Sequence, residues 1–176
     1  MTINKEMAQE LLLSNVPRFN EERSYNDDEL FDLNELDFST ATIQDANLQN
    51  CDLTGVDFTE AELEGIDFSG ADLTSTIFIR ANITDCNFSN ANLNGANFAS
   101  SVCSANFAEA DVSGANFSDG DFTESDFGLA ENMSMSKFDN YTKWPDSTNL
   151  PDDFDSEYIK DEDEDTDDIQ KTEGYY

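Results

Sequence analysis

From Leu33 to Phe127 a bulky apolar residue returns at every fifth position, most often in the frame small residue, Asp or Asn, Leu or Phe, then two polar residues. The frame is plain in Ala46-Asn47-Leu48-Gln49-Asn50, Ala71-Asp72-Leu73-Thr74-Ser75, Ala91-Asn92-Leu93-Asn94-Gly95 and Ala115-Asn116-Phe117-Ser118-Asp119. Fourteen centres keep strict step from Leu33 to Phe98. Six more follow after one slip, at Val102 or Cys103 and then Phe107, Val112, Phe117, Phe122 and Phe127. An α-helix cannot use this period, because five residues at about 100° each move the apolar position by about 140° and smear it around the axis. Short extended segments can use it. The small residue and the bulky centre, two positions apart, point to one side, and the Asp or Asn between them points to the other. The last two polar residues of each unit supply a corner. No such unit buries its own apolar face, so stacked neighbours must build the core.

These units closely resemble the pentapeptide-repeat family, whose pattern is Ala-(Asp/Asn)-Leu-X-X. The resemblance covers about residues 31–130 and implies an all-β solenoid, a right-handed quadrilateral β-helix with four units per coil. The stretch from Leu11-Leu12-Leu13 through Phe19 and Arg23 is similar to the lead-in of cyanobacterial members. Known members include gyrase-binding DNA mimics linked to quinolone resistance and partners of regulatory proteins in cyanobacteria. If four units make a coil, residues twenty apart stack. Phe38, Phe58, Phe78, Phe98 and Phe117 then form one column, and Leu33, Leu53, Leu73, Leu93 and Val112 the next. Ile43, Leu63, Ile83, Val102 or Cys103, and Phe122 form a third; Leu48, Phe68, Phe88, Phe107 and Phe127 form the fourth. Five coils at about 4.8 Å each give a rod of about 24 Å.

A solenoid has two open ends, and the flanks predict covers for both. Residues 1–30 form the lead-in. Its helix is expected from Thr2, as N-cap, to Asn15, with Ile3, Met7 and Leu11 as the apolar stripe and Pro17 as the stop. The repeat register dissolves after Ala130, yet Met133, Met135, Phe138, Tyr141 and Trp144 supply apolar cover over 131–151. An end-to-end dimer or a docking surface is the alternative use of an uncovered end. Residues 152–176 read as a disordered acidic tail, with seven acids in the eight residues Asp161–Asp168. Their alternation fails as a calcium loop, since Thr166 stands where Gly is needed and Thr172 where Glu is needed. A solubilising tail is one reading, and a partner-binding tail using Tyr175 and Tyr176 is the other.

Charge narrows the function. The full chain of 176 residues carries 40 acids against 8 bases, a net charge of −32, and no histidine. No His-based triad or zinc site can be assembled, and the carboxylates repeat around a surface instead of converging. No catalytic, metal or cofactor residues are expected, and the chain is not expected to be an enzyme. With no secretory signal or long apolar run, a cytoplasmic protein without membrane contact is expected. Cys51 and Cys86 take small inward positions in different columns; Cys103, in the slip, is expected to be more accessible.

Direct nucleic-acid binding is disfavoured by repulsion. Mimicry of DNA is a fairer competitor: the repeats carry eighteen acids and one base, net −17, against roughly fourteen charges on 24 Å of B-DNA. No residue between Asn87 and Ala108 is charged, however, so a track of phosphate-like charges would be interrupted for about one coil. Beside that waist, the unit Thr76-Ile77-Phe78-Ile79-Arg80 carries two outward isoleucines where neighbouring units carry Asp57 and Thr59, or Asn97 and Ala99. Ile77, Ile79 and Arg80, with Ala99 and Ser100 on the next coil, form the candidate partner contact. The expectation is a protein-interaction or scaffold module with an unidentified protein partner. A DNA-mimicking regulator of gyrase or another DNA-binding protein is the second reading, and a structural or solubility role the third. An ice-binding surface is disfavoured, because no outward column is a regular Thr ladder.

Overall fold

The computed structural model describes residues 4–25, 31–152 and 154. The units wind into a quadrilateral β-solenoid whose faces are named here by their first centres: the Leu33, Phe38, Ile43 and Leu48 faces. Six short strands are long enough to delimit: β1 (Phe31–Asp32), β2 (Thr42–Gln44), β3 (Cys51–Asp52), β4 (Glu62–Glu64), β5 (Asn82–Asn87) and β6 (Val102–Asn106). All pairings are parallel, β1 with β3 and β2-β4-β5-β6 in order. The stack at twenty residues is explicit, Thr42 pairing with Glu62, Glu62 with Asn82 and Asn82 with Val102. This strand ladder is four deep, against the five or so coils that the repeat count gives. Single-residue bridges carry it on to Asp121 and Lys143.

The centres are the core. Every phenylalanine from Phe58 to Phe127 is fully buried. Rings twenty apart stack nearly parallel, as in Phe78 on Phe98 at 4.7 Å and 12° and Phe68 on Phe88 at 4.8 Å and 6°. Rings on adjoining faces meet edge to face, as in Phe78 with Phe88 at 5.8 Å and 89°. Both arrangements suit the ring quadrupole and add to the apolar burial.

Two local devices close each unit. The fifth residue turns the corner with positive φ, a conformation that costs a non-glycine residue roughly 1 kcal/mol. Ten non-glycine residues between Glu35 and Ser100 accept it, among them Thr40 (φ 58°) and Arg80 (φ 56°). At Gly70 a Cβ would lie 2.4 Å from Asn50 Oδ1, so a side chain there would also require the Asn50 amide to move. The second device explains the Asp or Asn in the frame. Its Oδ1 accepts from the backbone N–H two residues on: Asp52 from Thr54 at 3.0 Å, Asp57 from Thr59 at 2.8 Å, Asn97 from Ala99 at 3.1 Å. This Asx bond satisfies a donor that the parallel ladder leaves over at the corner.

The slip falls after Ser104. Ile83 pairs with Cys103, but Cys86 pairs with Ala105, and the ladder shifts between Thr84 and Cys86. The residue dropped is the positive-φ one: Ser100 and Glu109 have it and nothing between them does. The choice left open between Val102 and Cys103 is thereby settled. Cys103 takes the inward column at 2% exposure, and Val102 points out at 57%. The expectation of an accessible Cys103 is corrected, because the strict frame runs one unit further than the break suggests.

Two helices, not one, cover the first coil. The helix α1 (Lys5–Ser14) starts at Asn4, whose side chain accepts from the Met7 N–H at 2.9 Å; Thr2 and Ile3 lie outside the described residues. Pro17 does not end helical structure. It sits in the first turn of α2 (Val16–Ser24), where its missing N–H costs nothing, and Asn15 caps that helix. The buried stripe is Ala8, Leu12 and Phe19, while Met7 is 43% exposed. Helix side chains also reach the polar edge of the first coil. Gln9 donates to the Asp37 carbonyl (2.9 Å), Asn20 to that of Asp45 (2.8 Å) and Arg23 to that of Gln49 (2.7 Å). Asn20 Oδ1 in turn accepts from the Asn47 N–H at 2.9 Å. A sheet edge that would template further pairing is thus occupied.

At the other end the register loosens without dissolving. Glu131, Lys137 and Lys143 bridge to Asp111, Asn116 and Asp121, and the Phe127 N–H donates to the Asn149 carbonyl at 2.8 Å. Met133, Trp144 and Leu150 are buried here, and Phe138 partly so, at intervals of five or six residues instead of five. Trp144 stacks on Phe122 at 5.7 Å and meets Phe117 and Phe127 edge on. Phe154, assigned above to the tail, packs on Trp144 at 5.0 Å. The rest of that tail, from residue 155 onward, lies outside the described residues.

Candidate functional site

All five candidate residues stand on the Phe38 face and its corner, on two adjacent coils. Asp57, Ile77 and Asn97 bridge in sequence. The Arg80 N–H donates to the Ala99 carbonyl at 3.0 Å, which sets Arg80 over Ser100 at the corner. Ile77 and Ile79 are half-buried instead of freely exposed, because ladder neighbours flank each of them. Arg80 is engaged: its Nε lies 2.9 Å from Glu60 Oε1 in an exposed ion pair. Ser100 Oγ lies 3.0 Å from Asp119 Oδ2. At Ile77 the Asx bond is missing, and among the described residues no side chain accepts from the Ile79 N–H.

Sequence reasoning left out one exposed aliphatic neighbour of these residues. Val102 occupies the Asp/Asn place on the Ile43 face, just past the corner from Ala99 and Ser100, and is 57% exposed. It and Ile77 are the two units in which an aliphatic residue replaces the outward polar one. The strict step of five from Phe98 was the signal that could have placed Cys103 inward and Val102 outward.

The waist also gains a structural account. Two of its asparagines sit over carboxylates one coil away and donate to them, Asn87 to Asp67 (3.2 Å) and Asn92 to Asp72 (3.2 Å), as Asn82 just before it does to Glu62 (2.8 Å). Stacked carboxylates would repel at about 4.8 Å, whereas an amide uses Oδ1 for its own Asx bond and Nδ2 for its neighbour. Asp67 collects donors from three residues, Gln49, Ser69 and Asn87. Burial pushes its carboxyl up, but Gln49, Ser69 and Asn87 together outweigh that and hold it below the usual value. Asp52 and Asp111 balance the same way: burial opposes, and donors led by Thr54 and by Ser113 prevail.

No group of three or more candidate metal ligands occurs among the described residues. The shortened corner leaves an open depression of about 430 Å³ lined by Asp85, Cys86, Asn87, Ser104, Glu124 and Asp126 among others. Burial raises the thiols of Cys51 to about 11 and Cys86 to about 12, and pushes Cys103 further up. All three cysteines are free and buried, with their thiols protonated at neutral pH. No helix among the described residues is long and apolar enough to cross a membrane.

A family profile described as a pentapeptide repeat region matches residues 31–98, and a second, for eight pentapeptide repeats, matches residues 105–139. No curated protein matches the chain. Among solved structures, a pentapeptide repeat protein (Rfr23) from the cyanobacterium Cyanothece 51142 is 19% identical with a TM-score of 0.47, over 73% of this chain and 99% of that one. A trypsin-treated form of QnrB1, a plasmid-mediated fluoroquinolone resistance protein, is 17% identical with a TM-score of 0.47, over 74% and 78%. HetL, a pentapeptide repeat protein involved in heterocyst differentiation regulation from Nostoc sp. strain PCC 7120, is 20% identical with a TM-score of 0.29, over 62% and 60%. The five-residue frame, its twenty-residue stacking and both profiles, which together span more than half of the sequence, agree: the chain belongs to the pentapeptide repeat family.

Proposed function

We propose that this chain is a non-enzymatic, cytoplasmic protein-interaction or scaffold module, presenting a rigid acidic rod to a protein partner through Ile77, Ile79, Arg80, Ala99 and Ser100. One observation carries this reading. At Ile77 the rod gives up the Asx bond that its neighbours Asp57 and Asn97 keep, and places two aliphatic side chains on an otherwise polar face. The fold gains nothing evident from that exchange; a partner's apolar side chains would. The test is affinity capture from the native organism with the wild-type chain and with Ile77→Thr/Ile79→Thr. Loss of the captured protein supports the reading, and equal capture removes this face from it.

A DNA-mimicking regulator of gyrase is the second reading, favoured by the net charge of −17 on the repeats. The uncharged coil counts against it, and its asparagines bind carboxylates of the coil before, so the gap is built into the ladder. Gyrase supercoiling unaffected at micromolar concentrations of the protein removes this reading.

A further inference from the structure

Beyond the face itself, the structure indicates what should meet it. Val102 extends the apolar surface around the corner between the Phe38 and Ile43 faces, so that Ile77, Ile79, Ala99 and Val102 lie on two adjacent coils. The coil before them carries Asp57, Glu60 and Glu62, and the coil after them carries Asp119 and Asp121. The corner is therefore apolar in the middle and acidic at both ends. Arg80 is held by Glu60 and Lys143 by Asp121, so both cations near the corner are engaged, while Asp57, Glu62 and Asp119 have no ion-pair partner among the described residues.

Backbone pairing offers a partner little here, the Ile79 N–H being a single donor with no acceptor among the described residues. Ile77 donates to the Val56 carbonyl and accepts from Phe58; the Ile79 and Ala99 carbonyls accept from Glu60 and Arg80. With these groups committed to the coils on either side, an added strand finds no edge. One isolated donor cannot pair a strand, so side chains must carry the contact, and a helix is the element that presents side chains. The two acidic coils are three levels apart, about 14 Å at ladder spacing. At 1.5 Å per residue that is about nine residues of helix.

Resting on the proposed interaction site, we infer that the partner docks an amphipathic helix, with an apolar stripe bracketed by Lys or Arg about nine residues apart, along this corner. Charge complementarity argues for that occupant, since nucleic acid and anionic lipid surfaces are both repelled by the rod.

The probe is a fluorophore-labelled sixteen-residue synthetic helix with a Leu stripe and two Lys/Arg clusters at that spacing. Anisotropy titrations are run on the full chain at about 0.15 M salt. The variant Ile77→Asn/Ile79→Thr/Val102→Asn should lose at least about tenfold in affinity, and Asp57→Asn/Glu62→Gln/Asp119→Asn a similar factor. Glu35→Gln/Glu109→Gln/Glu131→Gln, which removes the same charge away from the corner, should lose less than about threefold. A peptide with Gln for every Leu should bind wild type as weakly as the Leu peptide binds the apolar variant. Circular dichroism melts confirm that each variant is folded. Equal losses from the corner and remote acid variants, or unchanged binding by the apolar variant, would overturn the helix assignment. If the apolar variant still loses the native partner while the peptide ignores it, the site stands and the partner's chemistry is wrong. If neither binding changes, the site itself is wrong.

Discussion

The Leu48 face and the corner beside Val102 are built on one core but obey different outer rules. Along the Leu48 face every unit keeps its Asp or Asn, from Asn47 through Asp67, Asn87 and Asn106 to Asp126. Amides and carboxylates there bond from coil to coil, Gln49 and Asn87 to Asp67 and Asn106 to Asn87. Around the corner, Ile77 and Val102 drop the rule on neighbouring coils. The first surface is explained by the fold's own bonding. The second is not, and this contrast separates a residue that holds the rod together from one available to something else.

The shared core sets the largest effect. Phe88, fully buried between Phe68 and Phe107 in its stack, should cost about 3–5 kcal/mol when changed to Ala. If urea unfolding shows less than about 1 kcal/mol, the aromatic columns are not what supports both surfaces. Next comes the hub of the regular face. Asp67→Ala removes the acceptor of Gln49, Ser69 and Asn87 and should cost about 2 kcal/mol.

Acid should expose the same dependence. The carboxyls of Asp37, Asp52, Asp67, Asp111, Asp121 and Asp139 are all lowered in the fold. For Asp37 the donors of Ser39 lead; for the others burial opposes and donors outweigh it. A lowered folded value means that these groups stabilise the fold above the ordinary carboxylate range and lose that contribution as pH falls through their lowered values. Tm should therefore hold between pH 7 and 5, where protonation of other acids also relieves repulsion, and drop below about pH 3.8. A Tm that keeps rising below pH 3.8 would show that repulsion, not the Asx bonds, dominates.

Much of this architecture is legible in the chain, and what is hidden shares one cause. The period of five fixes the columns because every Leu or Phe centre must face inward. It says nothing about corners, which can shed a residue after Ser104 or gain one between Phe138 and Trp144 while the columns continue. For that reason the nearby break left both Val102 and Cys103 open, although the step of five from Phe98 lands on Cys103, and the last coil looked like a loss of register. Pro17 misled for a different reason: a proline that forbids a helix interior is welcome in a first turn, and only the Asn15 cap shows which applies. The Asp/Asn preference was visible, but its reason, an acceptor for the N–H two residues on, needs the corner's geometry.

A smaller effect tests the waist. Asn92→Asp would set a carboxylate against Asp72 in place of the amide that donates to it at 3.2 Å. Two charges about 5 Å apart in water repel by roughly 0.8 kcal/mol, so with the lost bond a cost of about 1–2 kcal/mol is expected, lessened by salt. No measurable cost would mean that the uncharged coil is not there to bridge carboxylates.

The smallest effect has the opposite sign. Ile77→Asn restores an acceptor for the Ile79 N–H and puts a donor beside Asp57, repeating what Asn87 does for Ser89 and Asp67. Against that gain stands the half-buried apolar surface of one isoleucine. One hydrogen bond of about 1 kcal/mol roughly offsets it, so Tm should stay level or rise by up to about 3 °C while partner binding falls. A fall of several degrees would show that Ile77 packs for the rod's own stability, and the distinction between the two surfaces would disappear. A level or raised Tm with lost binding would mean that the regular frame is the more stable choice at this position and that the isoleucine is kept for contact.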